Sequence, residues 1–242
     1  MPGHLQGQTV VVIGGSAGIG LETARLAKAE GADVILTGRS PDRLKNAAAE
    51  IGAAATAAFD ADDSAALEAF FAGIDGPIDH VMVTAGAPYY ATLKDMDFDE
   101  ARRALQAHPM LMAGVARYSI GKVRPGGTLL FMGGTGGRNP RLAVGLMAAM
   151  TAALPALTAS LAIEIAPVRI NLIAAGFVDT PLSASLLGDN LDARRAELRE
   201  TLPIGRVVQP EDVAALAVHI MTNTALTGAT YDIDGGQQLV TR

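Results

Sequence analysis

The stretch TVVVIGGSAGIG (Thr9–Gly20) decides the fold. Thr9–Ile13 is a β-branched apolar run of the kind that suits a strand buried on both faces. Glycines 14, 15, 18 and 20 follow. From Gly18 to Glu30 small apolar residues, among them Ile19, Ala24 and Ala27, recur at helical spacing until Gly31 stops the helix. A strand, a glycine turn and a helix in that order can hold a pyrophosphate. Glycines let the backbone turn tightly and bring its N–H groups close, and the helix N-terminus adds a dipole that favours negative charge. This reading sets Gly14, Gly18, Ile19 and Gly20 against a dinucleotide.

Outward from this stretch, strands and helices alternate. Further strands are expected at Asp33–Thr37, Ala54–Phe59, His80–Thr84, Thr128–Met132, Arg169–Ala174 and Thr230–Ile233. Helices are expected over Pro41–Ile51 with Ser40 as N-cap, Asp63–Ala72, Asp99 to about Gly121, and Asp212–Met221. Pro109 argues for a kink or a late start in the third of these. Leu142–Ile163 carries no charge and contains Pro155, and reads as a helix buried on all sides rather than a membrane span. The alternation predicts an α/β fold: a single doubly wound parallel sheet of about seven strands, helices on both faces, residues 1–242 in one domain. Such sheets bind ligands beyond the carboxyl ends of their strands. Ser183–Leu202, with the charged face of LDARRAELRE, reads as a mobile excursion and places a substrate lid at 178–205.

Composition narrows the chemistry. The chain has 242 residues, half of them hydrophobic, and a net charge of −6. No nucleic-acid partner is expected of it. It has no cysteine, which excludes thiolate nucleophiles, disulfides and zinc–thiolate sites, and no metal site is expected. Only four Tyr, four His and four Lys are present, so acid–base chemistry must draw on these, the carboxylates or water. Met1–Gln8 is polar and short, unlike a signal peptide, and the expectation is a cytoplasmic protein with no membrane partner.

The second strand ends in Thr37-Gly38-Arg39-Ser40. An NAD site needs a carboxylate there for the ribose 2′-OH. Arg39, with Ser16 as a second donor, suits a 2′-phosphate instead, which points to NADP(H).

The chain resembles the short-chain dehydrogenase/reductase family, whose nucleotide domain is Rossmann-like, along nearly its whole length. Gly14-x3-Gly18-x-Gly20 matches the family's glycine motif. Asp60-Ala61 resembles its adenine-contacting pair, and Ala85-Gly86 the end of its Asn-Asn-Ala-Gly motif. Asn171–Thr180 (NLIAAGFVDT) resembles its Asn-x3-Pro-Gly-x3-Thr segment, with Ala175 in place of the proline. Gly205-Arg206, Pro210–Ala214, Thr227-Gly228 and Asp232–Gly236 are similar to its C-terminal signatures. The resemblance implies that Val178 and Thr180 hold the nicotinamide side, and that the chain forms a homodimer or homotetramer.

The resemblance also implies a Ser after the fifth strand, a Tyr-x3-Lys pair on the next helix and an Asn on the helix before. Here the Ser position falls on Gly134, the Tyr position on Met147 and the Lys position on Thr151. Counting forward from the fifth strand and back from Asn171, with a two-residue deletion near Pro167, gives the same Met147. The Asn position falls on His108. A thioether donates no proton, a threonine hydroxyl is a very weak acid, and glycine has no hydroxyl. No Tyr stands between 118 and 231 and no Lys after 122, so no register error hides the pair.

Stand-ins are few. Tyr90-x3-Lys94 has the spacing, in the segment after the fourth strand, and meets on one face only if helical. Tyr89 and Tyr90 otherwise read as pocket walls or interface aromatics. His108 is the other candidate acid or base, because a histidine's unperturbed pKa, near 6.5, suits proton transfer, although a histidine beside a proline on a helix also reads as a capping or packing residue. Thr135 offers a hydrogen bond, Asp179 reads as a solvated loop carboxylate, and Met110, Met112, Met132, Met147 and Met150 read as pocket padding or core. The expected function is an NADP(H)-dependent oxidoreductase with a rewired centre, passing hydride to a small carbonyl, imine or conjugated C=C substrate. The alternatives are an inactive NADP(H)-binding sensor or partner subunit, and non-redox chemistry in the same pocket.

Overall fold

The computed structural model describes residues 3–240. Seven strands make one parallel sheet: β1 (Thr9–Ile13), β2 (Asp33–Gly38), β3 (Ala55–Ala58), β4 (Ile78–Val83), β5 (Val123–Gly134), β6 (Arg169–Ala175) and β7 (Thr230–Ile233). Their spatial order is β3-β2-β1-β4-β5-β6-β7. The chain steps outward from β1 to β3, then returns to lay β4 against the other side of β1. The crossovers diverge there, and a crevice opens beyond the carboxyl ends of β1 and β4.

Side chains on the central strands alternate between two apolar layers. Val10, Val12, Met82, Leu130 and Ile173 face one side, and Val11, Ile13, Val81, Val83, Leu129 and Leu172 the other. Helices α1 (Gly18–Ala29), α2 (Pro41–Ile51) and α8 (Pro210–Thr222) bury their apolar residues in the first layer. Helices α3 (Ser64–Ala72), α4 (Phe98–Ser119) and α5 (Gly145–Glu164) fill the second. Two short helices, α6 (Pro181–Leu187) and α7 (Leu191–Thr201), form the excursion after β6.

Two expectations are corrected here. The late start that Pro109 argues for does not occur, since α4 begins at Phe98 and runs on through Pro109, and α5 likewise runs through Pro155. An interior proline costs about 3 kcal/mol. In α4 the burial of Leu111, Met112, Val115 and Ala116 exceeds that. The second correction concerns α5. Only Leu154, Thr158 and Leu161 are fully buried, and Ala149, Ala152, Ala153 and Ala156 lie open. One face packs on the sheet layer and the other is uncovered. By length and hydropathy this helix is long and apolar enough to cross a membrane, the only such helix among the described residues.

Buried polar groups pin the sheet. The Arg169 guanidinium donates to the carbonyls of Gly126, Ile220, Met221, Asn223 and Leu226 at 2.8–3.1 Å, stapling the C-terminus of α8 to β6. His80 on β4 is 4% exposed, and its Nε2–H donates to Gln8 Oε1 at 2.7 Å. Burial lowers its pKa to about 4, against the pull of Asp79. The folded state therefore keeps His80 neutral, while the unfolded chain binds its proton near pH 6.5. The stability tied to this site is complete above about pH 6.5. It falls as pH drops toward 4, by about 3 kcal/mol over that window. Urea unfolding from pH 7 to pH 4 should show this loss, and His80→Gln should flatten the slope. An equal slope in both proteins would assign the acid sensitivity elsewhere.

Candidate nucleotide cleft and active site

Two adjoining cavities, of about 420 and 540 Å³, share Gly14, Ala17, Ala85, Gly86, His108 and Met147 in their walls and form one cleft. The glycine turn forms its floor. Gly14 has φ +95° and Gly18 φ +54°, conformations that favour glycine. A Cβ on Gly20 would stand 2.4 Å from Gly14 O, so the turn packs directly on α1. Thr84 Oγ1 donates to Gly14 O at 3.0 Å and ties the turn to the end of β4. No side chain caps α1 at Ala17, which leaves its first-turn N–H groups for a ligand anion.

The smaller cavity holds the residues expected at the adenosine end: Ser16, Arg39, Asp60 and Ala61. Ser16 Oγ lies 3.2 Å from where a Gly38 Cβ would be, beside Arg39. Asp60 Oδ1 accepts from Asp62 N at 3.1 Å, and Ala61 is buried. The carboxylates here follow β3, not β2. Arg43 and Arg103 line the same cavity and were not foreseen. Arg43 had a usable signal, since it lies four residues past Arg39, in the first turn of α2. Neither Arg39 nor Arg43 has an ion-pair partner among the described residues. These donors, the uncapped helix and the glycine floor fit a dinucleotide with an extra phosphate.

Across the larger cavity, Val178 pairs with Val208 as an isolated bridge. Thr180 accepts from Ser183 N at 3.2 Å, capping α6, and its side chain would stand 3.5 Å from a Cβ on Gly18. Thr180 thus sits opposite the glycine turn. Gln237 enters from the C-terminal end, where its Oε1 accepts from Phe177 N at 2.8 Å.

Gly134, Met147 and Thr151 come together in one wall of this cavity. A Cβ on Gly134 would lie 3.7 Å from Thr151 Cγ2. The Thr151 hydroxyl donates to Met147 O at 2.9 Å, so its proton is held within its own helix. Thr135 is buried, and the larger cavity is lined by its neighbours on either side instead. Met132, Met147 and Met150 pad the cleft, whereas Met112 is core and Met110 is exposed.

His108 stands where the two cavities meet. Its Nε2 lies 2.8 Å from Met132 O, and only an N–H satisfies a carbonyl, so Nε2 carries the proton. Nδ1 has no hydrogen-bond partner among the described residues and lies beside Gly86, where a Cβ would come within 3.0 Å. Gly86, with φ +126°, leaves room for the ring. Tyr90 lines the larger cavity at its rim, 52% exposed. Desolvation pushes its phenol above the ordinary range, with Arg141 pulling the other way. Lys94 lies in an exposed turn outside both cavities, so the Tyr-x3-Lys spacing does not bring the two together on a helix. Tyr89 lines the smaller cavity, and its hydroxyl accepts from Asp97 N and donates to Asp97 O.

The excursion after β6 roofs the cleft through Pro181, Leu182, Leu186, Leu187 and Arg194. Asp179 is corrected: it is not a solvated loop carboxylate. Its two oxygens accept from Arg195 Nε and Nη2 at 2.8 Å, which fastens α7 to the end of β6. Leu198, Leu202 and Val207 add a small apolar core beneath.

A glycine turn at the switch point of a doubly wound sheet, opening into a basic pocket after β2, defines the class of α/β proteins with a nucleotide cleft. The family model described as enoyl-(acyl carrier protein) reductase matches residues 14–238. A short-chain dehydrogenase/reductase of Stachybotrys chlorohalonatus, ATR9, is 29% identical over 96% of this chain and 97% of its own. The NADP-dependent (R)-specific alcohol dehydrogenase of Lentilactobacillus kefiri is 28% identical over 98% of both. The solved structure of BdcA in complex with NADPH superposes with a TM-score of 0.85 at 28% identity, over 96% of this chain and 95% of that one. The chain belongs to the short-chain dehydrogenase/reductase family of oxidoreductases.

Proposed function

We propose that this protein is an NADP(H)-dependent oxidoreductase with a rewired catalytic centre. Its hydride acceptor brings its own activation: a conjugated C=C or an imine rather than an unactivated ketone. The observation that carries this reading is the wall of Gly134, Met147 and Thr151, which offers no proton donor beside an otherwise complete nucleotide cleft. Support also comes from the NADP-dependent alcohol dehydrogenase and the NADPH complex among its relatives. Ser16, Arg39 and Arg43 would hold the 2′-phosphate, Asp60 and Ala61 the adenine side, the α1 N-terminus the pyrophosphate, and Ala85, Gly86, Val178 and Thr180 the nicotinamide side. When bound, NADPH supplies a hydride to an electrophilic carbon. The methionines exclude water from that end. His108 Nδ1, without a hydrogen-bond partner among the described residues, faces the cavity junction and holds or passes a proton there. Tyr90, with its phenol raised away from neutrality, serves as a wall. The roof of α6 and α7 acts as the substrate lid. The open face of α5 supports assembly as a homodimer or homotetramer, and the protein is read as cytoplasmic.

Turnover of conjugated enones and imines with NADPH tests this. His108→Ala should lower kcat about 100-fold with NADPH affinity changed less than threefold, and Tyr90→Phe should change kcat less than threefold. Equal rates in wild type and His108→Ala would remove His108 from the mechanism. NADPH binding with no turnover of any acceptor would favour the second reading, a sensor or partner subunit, which the same inert wall also supports.

A further inference from the structure

The larger cavity is apolar over most of its lining, with Met132, Val144, Met150, Phe177 and Leu186 among its walls, and no Asp or Glu among the described residues contributes to it. Its permanent charges are two guanidinium groups, Arg141 and Arg194. Arg194 is already offset by Glu197, at 2.7 Å. Arg141 has no hydrogen-bond or ion-pair partner among the described residues. The contrast within its own loop is instructive. Arg138, three residues earlier, is held by Asp232, with Nη2–Oδ1 at 2.7 Å. Arg141 is exposed at the edge of the larger cavity and lies along Gly136, where a Cβ would come within 3.4 Å of Nη2. Glycine at 136 lets the guanidinium lie close to the backbone at the cleft wall.

An unpaired cation on a largely apolar wall without described acidic residues favours an anion and opposes a cation, even at an exposed position where solvent screens the charge in part. A guanidinium has the planar fork that takes a carboxylate through two parallel hydrogen bonds. We infer that the substrate is an organic acid, an apolar body bearing a carboxylate, and that Arg141 is the residue that selects it. The inference rests on the proposed function only in taking this cavity as the substrate end. Among the acceptors considered there, it favours conjugated acids and disfavours a cationic iminium without a carboxylate of its own.

The test is a panel of unsaturated aliphatic and aryl carboxylates of about six to ten carbons, each paired with its primary amide. Affinities are measured by calorimetry with and without saturating NADPH. Acids should bind at least tenfold tighter than their amides. Arg141→Met should reduce that ratio to within twofold, leaving amide affinity within twofold and NADPH affinity within threefold, the readout that the variant is folded. Amides binding as tightly as acids, no acid binding at all, or an unchanged ratio in Arg141→Met would overturn the inference. Failure to bind NADPH would instead defeat the oxidoreductase reading, because the acid preference is measured separately in the cofactor-free protein.

Discussion

Gly20→Ala should lower NADPH affinity by more than 100-fold. The new Cβ would stand 2.4 Å from Gly14 O and 2.5 Å from Thr84 Oγ1. The first is backbone, and the second is fixed by its hydrogen bonds to Ile13 O and Gly14 O. Neither can yield the half ångström or more that a methyl group needs, so α1 must move away from the turn. That movement displaces the first-turn N–H groups from the position where a pyrophosphate would meet them. Overpacking of this kind also costs about 1–3 kcal/mol of stability, which chemical denaturation would read. Gly18→Ala is the contrast, since its Cβ would have 3.5 Å of room and only the strain of φ +54° to bear. NADPH affinity in Gly20→Ala within threefold of wild type would show that the turn and helix are not packed as described.

Arg39→Ala should weaken NADPH binding roughly 10- to 100-fold, the range of a lost charge-assisted hydrogen bond of about 1.5–3 kcal/mol. NADH affinity should stay within threefold, because NADH lacks the phosphate that Arg39 would meet. Arg39→Asp should go further and favour NADH, since the carboxylate after β2 would accept from the ribose 2′-OH. Arg43 lines the same cavity, so the double variant Arg39→Ala, Arg43→Ala should lose more than either single one. Added salt should weaken NADPH binding more than NADH binding in the wild type. Equal losses for both nucleotides would place Arg39 outside the phosphate site.

Much of the scaffold was readable because its signals are local. β1, β7 and α2 fall on the expected residues, and the other elements lie within a few residues of theirs, because apolar runs and glycine punctuation act over short stretches. β5 is longer at both ends than expected, and of its extra residues Val123 pairs with β4 and Gly133 and Gly134 with β6, which no local pattern announces. The uncharged α5 shows the opposite failure. Its composition is apolar around the whole helix, and composition does not say which faces have neighbours.

The site divides in the same way. The sequence by itself determined the doubly wound sheet, the glycine turn, Arg39 in place of an acid, and the absence of any tyrosine between residues 118 and 231 or lysine after 122. Each is a matter of residue type at a position, and type is all that a sequence states. Only the tertiary structure decided which charges are free. Arg138 and Arg141 share one loop and one chemistry, yet Asp232, 94 residues away from Arg138, claims only that one. Asp179 is closed off by Arg195, and His108 is oriented by a carbonyl on β5 that leaves one nitrogen bare. Electrostatic partners are set by distance in space, and side chains far apart in the chain become neighbours only when the sheet is built.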